Sequence, residues 1–431
     1  MVSGRRMAIG AVVASLIGVG AAQAADPPLG SMGTPAAASR PAARLTPPTR
    51  RVTLAFTGDT LLHSQVVRAF TLPGGGYDFS DAFREVAPIL SSVDLAVCHL
   101  ETPIAPPGEA ITSFPRYGVP AQITTALAGA GYDRCSTASN HTMDRGVAGI
   151  DATVNALEAA GLSQTGMART AAEAATRLIT INGITIAHVA YTFGLNALQR
   201  PADQPWRASL IDVPTIVAAA TDARAQGADA VIVSLHFGSE GSPTPDDYQR
   251  SVAAAVTASG QVDLIIGHHS HMVQPIERIN GRWVVFSLGN FFSNMPANDR
   301  WTIATSDGMI AAITLEQTVD GQVTVDRPIA IPTWVDRGRG YVIRPVLTDL
   351  ADPSLPADVR ALYKTAWEMS QSRLLELYAA RAPFVPRCRR PSRRTWSPHG
   401  RTLRIPWSPW RLGGTSFMPV ETSATALRRR G

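Results

Sequence analysis

Five times before residue 275, a short apolar run stops at an ionisable or amide side chain. VTLAF (52–56) leads to Thr57-Gly58-Asp59, and LAVCHL (95–100) leads to Glu101. A shorter, mixed run at Tyr132–Ser136 leads to Asn140-His141, AVIVSL (230–235) to His236, and VDLII (262–266) to GHHSH (267–271). Short apolar runs bounded by turn residues read as buried strands. Helical patterns lie between them at Ile123–Ala130, Val147–Ala160, Pro214–Gln226 and Asp246–Ser259, with a shorter one at Ser80–Ala87 that Pro88 ends. Strand–helix alternation of this kind specifies an α/β fold. In such a fold, ligands sit in the crevice beyond the carboxyl ends of the strands. The polar groups at the five strand ends are therefore expected to meet.

Taken singly, each has a plain structural reading. Asp59 can cap a following helix, Glu101 can be a surface carboxylate, Asn140 can be a cap, and the histidines can be a surface loop. Together they offer oxygen and nitrogen ligands in a number that suits one or two divalent ions, of manganese, iron or zinc. His269 and His271 are two apart, so on extended backbone both rings would face one side. Gly58 would turn the chain where the first strand stops. His63, at the start of a helix, could reach the same ion as Asp59. Gln249 could turn toward the site, Asn290 could hydrogen-bond it or turn the chain, and Arg116 in FPRYGVP (114–120) could meet an anionic substrate or lie on plain surface.

The rest of the chain adds strands and compartment. Asn182-Gly183 joins Thr176–Ile181 and Ile184–Ala190 as a hairpin. Trp283–Ser287 is another strand, and Gly308–Leu315, Gln322–Val325 and the stretch near Tyr341–Val346 read as edge or antiparallel strands. A helix is expected at Pro356–Tyr378. Arg5 and Arg6 precede an apolar run that ends near Ala22-Gln23-Ala24, the pattern of a signal peptide over residues 1–24. An uncleaved anchor is the alternative. Residues 25–50 form an Ala/Pro-rich linker, 51–380 the folded body, and 381–431 an Arg/Pro-rich tail expected to be disordered. The whole chain carries +5, and the tail alone has twelve arginines against one acid, so the body is mildly acidic. The basic balance therefore does not imply a nucleic-acid partner. Three cysteines without a CxxC pair exclude a structural zinc ribbon and permit at most one disulfide.

The segments FTGDTLLH (56–63), HLETPI (99–104), ASNHTMDRG (138–146), HFGSE (236–240), IIGHHSHMVQPIE (265–277) and VVFSLGNFF (284–292) resemble the bacterial capsule-synthesis family typified by CapA, the poly-gamma-glutamate synthesis protein. That family is similar in fold to the calcineurin-like metallophosphatases. The resemblance implies a layered α/β/β/α sandwich, with two mixed sheets between helices and a metal site at the strand ends. It implies metal ligands at Asp59, Glu101, Asn140, His236, His269 and His271. It further implies proton donation to the leaving group by His141; Arg116, from the reading of its loop alone, is the candidate to neutralise substrate charge. His63, Glu240, His268 and Asn290 would support the ligands from outside. Two family positions differ: Gly241 stands where the motif has tyrosine, and Phe237 where it is richer in tryptophan. Both bear on pocket shape. The implied chemistry is metal-assisted attack on a phosphoester or a gamma-glutamyl amide. A non-catalytic, metal-stabilised polymer scaffold is the other reading. The implied partners are an anionic cell-envelope or capsule polymer and membrane-bound capsule-synthesis components.

Overall fold

The computed structural model describes residues 50–295, 298, 300–346 and 364. The N-terminal apolar run, nearly all of the linker, the helix expected at 356–378 (Lys364 apart) and the arginine-rich end lie outside the described residues. Among those described, no helix is long and apolar enough to cross a membrane.

In chain order the elements begin with β1 (Arg51–Leu61), α1 (Ser64–Ala69), α2 (Ser80–Phe83), α3 (Ala87–Leu90), β2 (Leu95–Leu100), α4 (Gln122–Gly129), β3 (Arg134–Ser136), α5 (Gly146–Ala159) and β4 (Ser163–Thr165). They continue with α6 (Ala171–Ala174), β5 (Leu178–Ile181), β6 (Ile184–Thr192), α7 (Val213–Ala225), β7 (Ala230–His236), α8 (Asp247–Ala258), β8 (Leu264–His268), β9 (Ile276–Ile279) and β10 (Arg282–Val285). The last are β11 (Asn290–Ser293), β12 (Asp307–Gln317), β13 (Val323–Val325), β14 (Ile329–Asp336) and β15 (Val342–Pro345).

The strands form two mixed sheets. One runs β15-β14-β12-β1-β2-β3-β4, with β11 also on β1 and β13 on β12; the other runs β5-β6-β7-β8-β10-β9. The β1–β4 strands are parallel, as are β6, β7, β8 and β10, and the antiparallel partners lie outside these runs.

Side-chain alternation explains why two sheets stack. Val52, Leu54 and Phe56 of β1 and Leu95 and Val97 of β2 pack against Ile184 and Ile186 of β6, Ile232 of β7 and Leu264 and Ile266 of β8. This is the inter-sheet core. The alternate residues Ala96, Cys98 and Leu100 face outward onto α1, α2 and α4. Val231, Val233 and Leu235 likewise face α7 and α8. Each strand is apolar on both faces because each face is covered. The layers are therefore helix, sheet, sheet, helix, the sandwich expected above.

Several expectations change in detail. Pro88 does not end a helix over 80–87; it sits in the first turn of α3, where its missing N–H costs nothing. β12 takes the antiparallel alternative: it lies between β1 and β14 and is antiparallel to both. β1 does not stop at Phe56 but continues through Gly58 to Leu61. Gly58 is needed for close approach rather than for a turn, since a Cβ there would stand 2.2 Å from the Gly289 carbonyl oxygen. Asn182 and Gly183, at φ 49° and 77°, close the expected hairpin. Cys98 and Cys135 lie opposite each other on β2 and β3, with Cα atoms 4.4 Å apart, and are disulfide-bonded.

Candidate metal centre

The inward alternation that builds the apolar core continues past it and changes character. On β2 the inward series Leu95, Val97 is followed by His99 and then Glu101. On β7 the series Ala230, Ile232, Ser234 ends in His236, and on β8 Leu264 and Ile266 are followed by His268. On β1 the even residues face inward, so Asp59 has the wrong parity. The register between β1 and β2 shifts between Phe56 and Asp59, and this irregularity turns Asp59 inward. All of these side chains are buried.

Asp59 is held from the opposite sheet. Its Oδ1 lies 3.1 Å from His268 Nδ1, and its Oδ2 accepts the His269 backbone N–H at 3.2 Å and lies 3.1 Å from His271 Nδ1. Burial alone would raise its pKa, but the hydrogen bonds from His268 and His271 outweigh it and hold the carboxyl well below the usual range. It does not cap α1; His63 occupies the N-cap position and makes no side-chain cap.

The histidines beyond β8 are not on extended backbone. β8 ends at His268, and His269 and His271 adopt φ of 89° and 55°, in the left-handed region. Their rings lie 5.9 Å apart at 60°. Such geometry in non-glycine residues is strained and persists only where the surroundings over-determine it. Here the determinants are visible. His271 Nδ1 lies 3.1 Å from Asn290 Oδ1, and Asn290 Nδ2 in turn donates to the Thr305 carbonyl at 2.9 Å. With Nδ1 so engaged, Nε2 of His271 is the nitrogen left for a ligand.

His236 is fixed in the same way. Its Nδ1 lies 3.0 Å from His99 Nε2, while its Nε2 lies 2.9 Å from Asn140 Oδ1. His99 is itself anchored by Ser136 Oγ at 2.8 Å and stacks on His268 with ring centres 3.9 Å apart. Burial pushes the pKa of His99 and His236 well below the ordinary value, and that of His269 down to about 3. These rings are neutral, the form in which imidazole is a ligand.

Glu101 tests whether the cluster fits an ion. It is fully buried, and neither carboxylate oxygen has a hydrogen-bond partner. Burial pushes its pKa well above the usual range. Its Oε1 stands 4.0 Å from His236 Nε2 and 3.9 Å from His271 Nε2. These gaps exceed a hydrogen bond. They match donors on a common ion, since ligand distances of about 2.0–2.2 Å place two donors roughly 3–4 Å apart. Donor atoms of Asp59, Glu101 and His271 all lie within 4.8 Å of one another, and so do those of Glu240, His269 and His271. Asp59, His99 and His268 form a third such group, but these three are already tied into the hydrogen-bond network. The residues present therefore suit one or two divalent ions.

A separate arm lies beside this cluster. His141 Nδ1 is 2.7 Å from Asp144 Oδ2, which also accepts the Tyr117 backbone N–H at 2.7 Å. Tyr117 packs edge-on against His141, with centroids 4.7 Å apart. Asn140 Nδ2 donates to Asn196 Oδ1 at 3.2 Å, linking this arm to the loop after β6. Half-exposed Phe193 lies on His269, 4.6 Å between centroids, and forms an apolar wall at the mouth.

The structure thus brings together Asp59, Glu101, Asn140, His236, His268, His269, His271 and Asn290, with His141 beside them. Glu240 is near His269 and His271 but pairs with Arg300 at 2.7 Å. His63 borders the cluster: its Nδ1 is turned to the backbone of Leu61 and Asn294, while its ring lies edge-on to Tyr117, 5.8 Å between centroids, which in turn packs on His141. Gln249 completes the α8 capping box and donates to Gln274 at 2.8 Å, beneath the site. Arg116 lies exposed in its loop, next in the chain to Tyr117, which packs on His141. Sequence reasoning assigned no role to His99, Asp144 or Asn196. The inward alternation Leu95, Val97, His99, Glu101 was the signal for the first. The i, i+3 spacing of His141 and Asp144 was the signal for the second.

A family model described as "Bacterial capsule synthesis protein PGA_cap" matches residues 53–295, which holds every residue of the cluster. The chain belongs to this family. The PGA biosynthesis protein CapA of Bacillus subtilis is 31% identical over 192 residues, covering 44% of this chain and 49% of that protein. The capsule biosynthesis protein CapA of Bacillus anthracis is 25% identical over 250 residues, covering 56% of this chain and 59% of that one. This PGA_cap chain therefore spans about half the length of these curated relatives. Among solved structures, a calcineurin-like phosphoesterase of Bacillus subtilis overlaps 77% of this chain and all of its own at 14% identity and a TM-score of 0.39. A 5'-nucleotidase-like protein of Staphylococcus aureus overlaps 73% of this chain and 58% of its own at 13% identity and a TM-score of 0.42. These overlaps are loose; the layer order and the site rest on the strands and side chains described above.

Proposed function

We propose that this PGA_cap chain is an exported, metal-dependent hydrolase or transferase that acts on an anionic capsule or cell-envelope polymer, at a phosphoester or a gamma-glutamyl amide. Residues 51–380 are its working unit, delivered by the N-terminal signal, and membrane-bound capsule-synthesis components are its partners. The observation that carries the reading is Glu101, a buried carboxylate without a hydrogen bond, about equally far from two imidazole nitrogens. A protein does not leave such a group uncompensated without cause.

Asp59, Glu101, Asn140, His236, His269 and His271 would hold one or two ions of manganese, iron or zinc. When bound, such an ion supplies Lewis-acid polarisation and a water of lowered pKa. The chain's own groups do the rest. Asp144 accepts from His141 Nδ1, so the proton that His141 can pass to a leaving group sits on Nε2. Asn290 and His99 hold the rings of His271 and His236 in orientation. Phe193 limits the water that reaches His269.

The test is turnover of a generic phosphodiester and of a gamma-glutamyl peptide by the purified chain with Mn²⁺, Fe²⁺ or Zn²⁺. His141→Ala should lower turnover about 10²–10⁴-fold with metal content retained. Metal without turnover on either substrate, in wild type as in the variant, would contradict catalysis and leave a polymer-binding scaffold.

A further inference from the structure

Arg134 opens β3, and its side chain reaches across to β6 of the other sheet. The residue is buried, 3% exposed. Its Nε donates to His188 Nδ1 at 3.2 Å, Nη2 to the His188 carbonyl at 3.2 Å, and Nη1 to Ser163 Oγ at 3.1 Å. All three acceptors are neutral: burial pushes the His188 pKa well below its ordinary value, and its Nε2 is engaged with Ser234 Oγ at 2.9 Å. An arginine has five N–H donors and does not deprotonate in proteins. Two donors and the full charge of Arg134 are therefore unmet inside the fold.

No carboxylate among the described residues forms an ion pair with it. Burial lowers its pKa to about 10, and the charge that adds to this is a second cation, exposed Arg177. The two arginines line a cavity of about 290 Å³, whose walls include Ser163, Gln164, Glu158 and Glu173. A second cavity of about 60 Å³ shares Arg134, Gln164, Glu173 and Arg177 and continues toward Tyr191 on β6. The two acids are each paired with Arg169, at 2.8 and 2.6 Å, and Glu173 also feels the charge of Arg177, but neither forms an ion pair with Arg134. A buried cation with free donors, facing a cavity and backed by a second cation, is a binding site for negative charge. Guanidinium selects planar or tetrahedral oxygens that can take two parallel hydrogen bonds.

We propose that this groove, between β4 and the start of β5, binds an oxyanion, a carboxylate or a phosphate group, on Arg134 and Arg177. The site is independent of the metal centre and stands whether or not the proposed hydrolysis occurs. Inorganic phosphate and glutarate are titrated separately into the full chain by calorimetry. Saturable binding of at least one is expected. Arg134→Met should weaken it by about tenfold or more, the scale of a lost charge-assisted bidentate contact. Arg177→Met, at an exposed position that leaves folding intact, should weaken it by about threefold or more. Binding of phosphate alone assigns a phosphate ligand, glutarate alone a carboxylate, and both a general oxyanion site. No saturable binding of either anion up to about 10 mM, or binding equal to wild type in every folded variant, would overturn the proposal.

Discussion

The inner layer of this sandwich has two halves built from the same strands. In the lower half, Leu54, Val97, Ile232 and Ile266 pack as a dry core. In the upper half, one or two pairs further along, the same faces carry Asp59, His99, His236 and His268. Apart from Asp59, which a register shift turns inward, the halves share parity, backbone and burial but differ in what burial costs. Apolar groups gain from it, whereas ionisable groups lose unless each is paired. The upper half is mostly paired, ring to ring and ring to amide; both oxygens of Glu101 and Nδ1 of His269 are left without a hydrogen bond. The contrast separates two roles: the lower half holds the sheets together, and the upper half gathers acidic and imidazole groups that could hold a divalent ion.

That separation can be broken in three ways. The largest effect on stability is expected from the lower half. Ile232→Ala removes a fully buried side chain between the sheets and should cost about 2–5 kcal/mol in denaturant unfolding, while the folded variant keeps its metal stoichiometry. A loss of metal at a temperature where the variant is folded would show that the halves are not separate.

The upper half should respond with the opposite sign. Glu101→Met replaces a buried, unpartnered carboxylate by an apolar chain of similar length. In the metal-free state above about pH 9, where His271 has lost the charge that faces Glu101, it should stabilise by about 1–3 kcal/mol, and added metal should no longer raise the melting temperature. Destabilisation of the metal-free form at that pH would mean that Glu101 has partners besides His271.

The smallest effect is in pH. Burial pulls the His271 pKa down, but Glu101 and Asp59 outweigh it and hold the ring up at about 9. A group whose folded pKa is raised binds its proton more tightly when folded. The stability it adds to the metal-free protein is therefore complete below the unfolded value of about 6.5 and is lost as the pH rises through about 9. Denaturant midpoints from pH 6 to 10 should fall in that window without metal. They should not fall there with metal bound, where Nε2 is engaged. A flat profile in the metal-free protein would contradict the placement of His271 between the two carboxylates.

Much of this was legible in the sequence, for a physical reason. Buried parallel strands must be apolar runs, so a run that ends in His236 or in His268-His269 announces both the strand and its functional end. The period of two along LAVCHLE also puts His99 and Glu101 on one face. What the sequence did not carry were departures from regular geometry. The register shift before Asp59 reverses its face, and nothing in FTGD marks a bulge, because Gly58 reads equally as a turn. The left-handed backbone at His269 and His271 comes from contacts with Asp59 and Asn290 contributed by other strands. Asn196 reaches Asn140 from a loop 56 residues away, a pairing that only the tertiary fold creates. The buried charge of Arg134 was equally hidden, since a short mixed run beginning with arginine looks like a strand edge.

The most direct measurement is metal content by elemental analysis of the full chain purified without chelator, set beside Glu101→Met prepared in the same way. The account predicts one to two manganese, iron or zinc ions per wild-type chain and a clear loss of bound metal in the variant, with both proteins folded. A folded wild-type protein containing none, or a variant that binds as much as wild type, would contradict it.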